Sequence, residues 1–229
     1  MKHNPSLLRY SFAGDAVEAF STQKDSKLPY NVVLGDQVHD IRTAVVRVPD
    51  PDPATLSGTD ALVTNLRGVA IGIRTADCIP ILLYDPVRKA VAAVHAGWKG
   101  TLRRIVCSSI SLMGLEYGSS PADLLAVIGP GICKASFQVG EEVPLAFKNL
   151  GFPMDRIYSW EGGKIKGDVH TGHHIDLIAA NIWLMTEVEG MLPQNIHQCG
   201  IDTFTDESFY SARRDGSEAG RIITAIMLK

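Results

Sequence analysis

Residues 74–100 constrain the fold of this chain more than any other stretch. They contain two apolar runs, Ile79–Tyr84 and Ala90–Val94, and the turn pair Asp85-Pro86 follows the first run. Short apolar runs bounded by turn residues are typical of buried strands. The sequence therefore predicts a buried antiparallel β-hairpin, around which the rest of the domain is built.

Residues that can carry chemistry stand at the open end of this hairpin. Asp77 and Cys78 precede the first strand, and His95 follows the second, 17 positions after Cys78. In an antiparallel hairpin the start of one strand and the end of the next lie at the same end. We therefore expect Cys78 and His95 to face each other. Because functional sites are often built on loops where strands end, we expect a pocket over this end.

Three residues are candidate metal ligands: His39, Cys78 and His95. Zinc accepts thiolate and imidazole together, and a catalytic zinc typically has three protein ligands and an open fourth position. Water bound at that position can ionise near neutral pH and attack an electrophilic carbon. The spacings of 39 and 17 positions match no compact zinc-finger pattern, so spacing alone does not establish the site.

The same residues permit a second interpretation, in which Cys78 is a catalytic nucleophile. His95 would accept the thiol proton, and Asp77 or another acid would orient the imidazole. The two interpretations compete, because a metal-bound thiolate is a poorer nucleophile. A structural alternative for Asp77 is a turn cap that accepts a neighbouring N–H.

Three basic side chains are candidates for binding a substrate phosphate: Lys99, Arg213 and Arg214. The forked guanidinium of Arg suits phosphate oxygens, although an Arg pair in a polar loop is more often solvated or salt-bridged. The histidines at positions 170, 173 and 174 are expected in a solvated loop before the third helix.

Composition limits the class of protein. The chain of 229 residues is 45% hydrophobic, which predicts one globular domain spanning residues 1–229. The net charge of −3 and the pI of about 6.1 argue against nucleic acid as a partner. No apolar run approaches about 20 residues, no signal-peptide core is visible, and the four cysteines form no CxxC pair. We therefore expect no membrane association and a cytoplasmic protein with reduced thiols.

The rest of the chain predicts strands that outnumber helices. Helical patterns begin near residues 102, 141 and 175, and residues 154–172 are expected to be irregular. Strands and helices do not alternate strictly, which predicts an α/β (or α+β) domain with mixed β-sheets.

Several short motifs occur in a fixed order along the chain. They are QVH (37–39), TADC (75–78), VHAGW (94–98), IGPGI (128–132), VGEEV (139–143), RRDG (213–216) and GR (220–221). Together they resemble the YfiH family, also called the laccase-domain or polyphenol-oxidase-like family. The resemblance runs from about residue 20 to the C-terminus. The ordered set is far more specific than any one motif.

The resemblance implies a single domain with mixed sheets in an α/β/β/α-type sandwich, present as a monomer or weak homodimer. It also implies zinc, with copper as an alternative, held by His39, Cys78 and His95. The implied substrates are small-molecule nucleosides and phosphate. The implied reactions are phosphorolysis of adenosine, inosine or methylthioadenosine, and deamination of adenosine. One departure is Gln23, which follows Phe20-Ser21-Thr22 where family members often carry Arg.

Two other enzyme classes compete with this expectation. Some members of the family look like editing factors for peptidoglycan precursors, which fits a Cys–His amide hydrolase. Others have been described as copper-dependent phenol oxidases. A multicopper oxidase needs a His₂Cys blue-copper site and further copper ions held by paired histidines. The chain has seven His and no HxH pair, so its sequence argues against that class.

Overall fold

The structure, a computed structural model, describes residues 7–161 and 172–229. The strands are β1 (Leu7–Arg9), β2 (Val17–Thr22), β3 (Val32–Leu34), β4 (Thr43–Val45), β5 (Ala61–Thr64), β6 (Ala70–Thr75), β7 (Ile79–Asp85), β8 (Ala90–Ala96), β9 (Leu125–Ile128), β10 (Gln138–Val139), β11 (Tyr158–Glu161), β12 (Gly172–Ile175), β13 (Ile196–Gln198) and β14 (Ile222–Leu228). The helices are α1 (Trp98–Leu102), α2 (Ile105–Tyr117), α3 (Glu142–Asn149), α4 (Met154–Ile157), α5 (Leu177–Trp183) and α6 (Ala212–Asp215).

The predicted hairpin is confirmed. Strands β7 and β8 pair antiparallel, with Ile79 opposite Ala96 and Asp85 opposite Ala90, and every residue of both strands is buried. The turn forms because one carboxylate oxygen of Asp85 accepts the backbone N–H groups of Val87 and Arg88, at 2.8 and 2.9 Å. The Asp85 side chain thus provides acceptors for backbone N–H groups in the turn that have no partner on the opposite strand.

Two large mixed sheets carry the fold, and the predicted mixed α/β class is confirmed. A five-stranded sheet has the order β1-β2-β14-β6-β3, and a six-stranded sheet has the order β13-β9-β7-β8-β5-β4. A third, small sheet has the order β10-β12-β11. Most pairs are antiparallel, but β3 with β6, β4 with β5 and β9 with β13 are parallel.

The main core lies on both sides of the central hairpin. One cluster joins Leu82 and Val91 of the six-stranded sheet to Ile71 and Ile226 of the five-stranded sheet. The alternate residues, such as Ile81, face a second cluster that includes side chains of α2, α3 and α5. A strand buried on both faces has no polar alternation, which explains the continuous apolar runs in the sequence.

The helices are close to their predicted positions, with local differences. The helix expected from residue 102 is divided into α1 and α2, because Arg104 between them adopts a left-handed conformation, with φ 65°. The third predicted helix begins at Leu177 and continues beyond Trp183 as a π-helical turn, Leu184–Val188. None of the helices in the described ranges is long and apolar enough to cross a bilayer.

Two expectations about residues 154–175 are wrong within the described ranges. Residues 154–161 were expected to be irregular but form α4 and β11. His173 and His174 lie on β12, not in a solvated loop, because β12 pairs on both sides with β10 and β11. His174 is fully buried, and its ring pairs with the Lys134 carbonyl oxygen at 2.9 Å. His170 lies outside the described residues.

The packing between the two large sheets predicts a cost for Leu82→Ala. Leu82 is fully buried in the inter-sheet cluster, so truncation removes contacts and leaves a cavity. We expect the free energy of unfolding to fall by about 2–5 kcal/mol, measured by urea denaturation.

Leu115→Ala is the matched control, because Leu115 is 85% exposed on α2. It should change stability by less than about 0.5 kcal/mol. Equal effects of the two substitutions would contradict the placement of the core.

Candidate metal centre

The structure brings His39, Cys78 and His95 together. Cys78 immediately precedes β7, His95 lies in β8, and His39 lies in the loop between β3 and β4. One donor atom from each residue lies within 4.8 Å of the others, and the two imidazole rings meet edge to face at 4.8 Å between centroids. Donors on one tetrahedral zinc are about 3.5 Å apart, so small side-chain movements would place all three on one ion.

Asp60, which sequence reasoning missed, connects two of these residues. Its Oδ1 accepts the His39 backbone N–H at 2.9 Å and lies 2.8 Å from His95 Nδ1. Its Oδ2 accepts the N–H groups of Val38 and Asp40, at 3.1 and 2.9 Å. The carboxylate is fully buried. Because Asp60 occupies Nδ1 of His95, the other ring nitrogen, Nε2, is the one that can bind a metal once its proton is lost.

The backbone is strained at two positions beside the donors. His39 has φ 62° and Asp77 has φ 89°, a region that non-glycine residues rarely adopt. The N–H bonds to Asp60 hold the His39 loop in this conformation. Strain of this kind tends to occur at functional sites, where surrounding contacts fix it.

Asp77 does not take the position beside His95 that the nucleophile interpretation gave it. Its carboxylate accepts the Thr203 hydroxyl at 2.7 Å and the Arg213 backbone N–H at 2.6 Å. The bend at Asp77 turns the side chain toward the C-terminal loop, so Asp77 anchors that loop. Asp60 is the acid that orients His95.

Gly97 provides the space that the thiol occupies. A Cβ atom at this position would lie 2.9 Å from Cys78 Sγ and 3.4 Å from His39 Cδ2. The glycine of the VHAGW motif therefore lets the chain pass close to the candidate ligands as it leaves β8.

Cys78 and His95 shift each other's pKa. Burial alone would raise the pKa of Cys78, but hydrogen bonds with His39 and His95 outweigh it and lower that pKa to about 6. Burial alone would lower the pKa of His95, but hydrogen bonds with Asp60 and Cys78 raise it to about 9. A thiolate is thus favoured at neutral pH, and thiolate is the form of cysteine that binds metal.

A cavity of about 290 Å³ opens beside the three donors. The residues that line it are Asp36, Gln37, His39, Arg74, Thr75, Ala76, Cys78, His95, Ala212 and Arg221. It lies where the two large sheets meet, because Arg74 and Thr75 belong to β6 whereas His95 belongs to β8. A pocket is present at the open end of the hairpin, where the sequence placed it.

Gln37, the first residue of the QVH motif, attaches the His39 loop to the five-stranded sheet. Its side-chain amide donates to the Arg74 carbonyl and accepts the Arg74 N–H, each at 2.7 Å. The side-chain amide therefore continues the backbone hydrogen bonding of the parallel β3–β6 pair beyond the end of β3. This contact fixes the backbone on both sides of the cavity.

The three basic residues predicted to bind phosphate are absent from the described wall of this cavity. Lys99 Nζ lies 5.7 Å from the centroid of the Trp98 ring, and the Arg213 guanidinium lies 5.6 Å from that of Phe137. The Arg214 guanidinium donates to the carbonyl oxygens of Thr203, Phe204 and Phe209 and to the Asp215 carboxylate. Arg214 therefore holds the C-terminal loop together.

The fold and the donor set define a mixed α/β protein with a His-Cys-His candidate metal centre at the seam between two sheets. The family model described as multi-copper polyphenol oxidoreductase laccase matches residues 16–229. The chain therefore belongs to this family.

Three comparisons are informative. A purine nucleoside phosphorylase of Bacteroides thetaiotaomicron is 38% identical over 210 residues, covering 89% of this chain and 75% of that protein. Adenosine deaminase RL5, from an unknown prokaryotic organism, is 38% identical over 207 residues, covering 87% and 76%. The crystal structure of Bacillus licheniformis hypothetical protein YfiH matches with a TM-score of 0.84 at 28% identity, covering 100% of this chain and 98% of that chain. The resemblance to the YfiH family is confirmed.

Two observations from this centre generate predictions. The first concerns Asp60→Asn, which replaces one acceptor oxygen by an NH₂ group that faces N–H donors. We expect zinc affinity to fall by about 10–100-fold, as for other residues that orient metal ligands, measured by competition with a chelator. Asp123→Asn, at an exposed position, is the control. Unchanged zinc affinity in Asp60→Asn would show that this carboxylate does not organise the site.

The second prediction concerns Gly97→Ala. Gly97 has a backbone φ of −68°, which alanine can adopt without strain. The added methyl displaces Cys78 Sγ, and overpacking of this kind costs about 1–3 kcal/mol. We expect zinc binding to weaken about tenfold or more, since tenfold corresponds to about 1.4 kcal/mol. Gly114→Ala is the control, because its Cβ would make only an ordinary 3.4 Å contact with the Ser119 carbonyl oxygen. Equal zinc affinities in the two variants would contradict the crowding at Gly97.

Proposed function

We propose that this protein is a zinc-dependent purine nucleoside enzyme. The reactions are phosphorolysis of adenosine, inosine or methylthioadenosine, and deamination of adenosine. The single observation that carries the proposal is the convergence of His39, Cys78 and His95 at one wall of a cavity. The names of the relatives, purine nucleoside phosphorylase and adenosine deaminase, support the substrate class.

The donor set suits zinc. One thiolate and two imidazoles, with room for a fourth ligand on the cavity side, are typical of catalytic zinc sites. Copper(I) also accepts thiolate, and copper is the alternative metal. A multicopper mechanism has little support, because the described residues contain one His/Cys/Asp/Glu group with metal-binding geometry. When bound, zinc would supply Lewis acidity and an activated water.

The residues of the chain itself prepare the site. Asp60 accepts the Nδ1 proton of His95, which fixes the tautomer and directs Nε2 toward the thiol. Asp60 also holds the His39 loop through three backbone N–H bonds. Donors held in this way need little rearrangement when a metal or substrate binds.

The cavity matches a small substrate. Its volume of about 290 Å³ is near the lower end of the range of small-molecule pockets, roughly 300–1,000 Å³. Among the described residues that line the cavity, Asp36 provides the carboxylate. We assign to Asp36 the exchange of a proton with the leaving base.

Cys78→Ala tests the proposal directly. Removal of the thiolate should abolish both stoichiometric zinc and nucleoside turnover, with little loss of folding by circular dichroism. The measurement is metal analysis, followed by incubation with adenosine, inosine and methylthioadenosine, with and without phosphate, and chromatography of the products. Cys199→Ala is the matched control, since Cys199 is absent from the wall of this cavity. A Cys78→Ala protein that retains zinc and activity would refute the site assignment.

A second function is favoured by one observation, the line formed by Asp60, His95 and Cys78. A buried carboxylate on one imidazole nitrogen and a thiol on the other side are the arrangement of a cysteine hydrolase. Such an enzyme would cleave an amide, for example in peptidoglycan precursors, without metal. Zinc that survives purification and protects Cys78 from alkylation by iodoacetamide would count against it. If zinc-free protein hydrolyses the amide and loses this activity on alkylation, the cysteine-hydrolase function would replace the first proposal.

A further inference from the structure

Two guanidinium groups, those of Arg74 and Arg221, line the cavity that contains the candidate metal ligands. We propose that these two residues form the phosphate subsite of the enzyme. The inference rests on the proposed function, because it names the part of the same cavity that takes inorganic phosphate. It replaces Lys99, Arg213 and Arg214, none of which is among the described residues of this wall.

The strand register places the two side chains together. In the antiparallel pair of β6 and β14, Arg74 is opposite Ile223 and Thr75 is opposite Ile222. Arg221 comes one residue before Ile222, so it falls on the same face of the sheet as Arg74, in the diagonal position. Diagonal neighbours are about 7–8 Å apart at the backbone, within reach of long side chains. A tetrahedral anion between them can contact both guanidinium groups.

Both side chains are held in place yet keep free donors. The Arg74 backbone is clamped by Gln37, and Arg74 Nη1 donates to the Gly35 carbonyl at 3.2 Å. Arg221 donates from Nη1 to the carbonyls of Ala219 and Gly220, and from Nη2 to that of Ser217 at 3.4 Å. A guanidinium has five N–H donors, so these contacts leave several for an anion. Carbonyl partners also leave the positive charge intact.

The charge of the wall favours an anion. In the described part of the chain neither Arg74 nor Arg221 forms an ion pair, whereas Arg214 is paired with Asp215 at 2.8 Å. Among the described lining residues, the negative charge of Asp36 opposes the two positive charges of Arg74 and Arg221. The wall also contains Thr75, a buried residue whose hydroxyl has no hydrogen-bond partner among the described residues. Forked, charge-assisted bonds to phosphate are among the stronger interactions of arginine.

The position of this subsite suits phosphorolysis. Arg74 lies on β6 and Arg221 immediately precedes β14, both strands of the five-stranded sheet, whereas Cys78 immediately precedes β7 and His95 lies in β8 of the six-stranded sheet. A nucleoside that reaches the ligand group would therefore have phosphate supplied from the side of the five-stranded sheet. Attack of a phosphate oxygen on C1′ forms the C–O bond and breaks the bond to the base, which leaves with its electron pair and takes up a proton.

The test is the binding of inorganic phosphate to the zinc-loaded protein, followed by calorimetry, together with the KM for phosphate in phosphorolysis. Arg74→Gln and Arg221→Gln should each weaken phosphate binding about tenfold or more, because each substitution removes charge-assisted hydrogen bonds to the anion. The KM for phosphate should rise in parallel, with zinc content unchanged. Arg47→Gln, which removes an exposed arginine paired with Glu116, controls for net charge.

Arg213→Gln separates this subsite from the one read from the sequence. If Arg213→Gln weakens phosphate binding while Arg74→Gln and Arg221→Gln do not, the proposal is overturned. If the unaltered protein phosphorolyses nucleosides and neither cavity variant changes the phosphate constants, the subsite is wrong and the proposed function stands. If the protein binds phosphate through Arg74 and Arg221 but turns over no nucleoside, the subsite stands and the proposed function fails.

Discussion

The candidate centre depends on the hydrogen bonds that the Asp60 carboxylate accepts. It is fully buried, and its two oxygens accept three backbone N–H groups of the His39 loop as well as the ring of His95. A buried carboxylate without such partners would be strongly destabilising. The fold tolerates Asp60 because these donors satisfy it, and the donors are ordered because Asp60 is present. Two of the three candidate ligands, His39 and His95, are thus positioned by one carboxylate.

The seam between the two large sheets determines what the centre can do. Residues 76–78 carry the chain from β6 of one sheet to β7 of the other. The candidate metal ligands and the guanidinium groups of Arg74 and Arg221 therefore line one cavity at this seam. Gln37 and Asp77 hold this seam: Gln37 joins the His39 loop to β6, and Asp77 anchors the C-terminal loop.

The sequence predicted the parts of the site that depend on local order. The apolar runs and the turn at Asp85 specify the hairpin, and an antiparallel hairpin brings Cys78 toward His95 whatever surrounds it. His39 was a candidate ligand by residue type, and the resemblance at the QVH motif strengthened that assignment, since its loop position and left-handed backbone have no clear local signal. The mixed α/β class followed from the count and order of strands.

The residues that were missed depend on contacts distant in sequence. Asp60 reaches His95 because β5 pairs with β8, with Ala61 opposite Val94, and sheet order cannot be read from a single strand. An Asp that opens an apolar strand was the available signal. Arg221 takes the diagonal position to Arg74 because β14 pairs with β6, whereas Arg214 of the more conspicuous Arg213-Arg214 pair holds the C-terminal loop together. The role of a buried polar group depends on its hydrogen-bond partners, and the fold determines which partners it has.

The ligand set is the central claim, and X-ray absorption at the zinc edge of the purified protein tests it most directly. One sulfur near 2.3 Å and two imidazole nitrogens near 2.0–2.1 Å, with one further light ligand, is the shell that the account predicts. A metal shell without sulfur would contradict this ligand set. So would a purified protein that contains no transition metal and binds none when zinc is added.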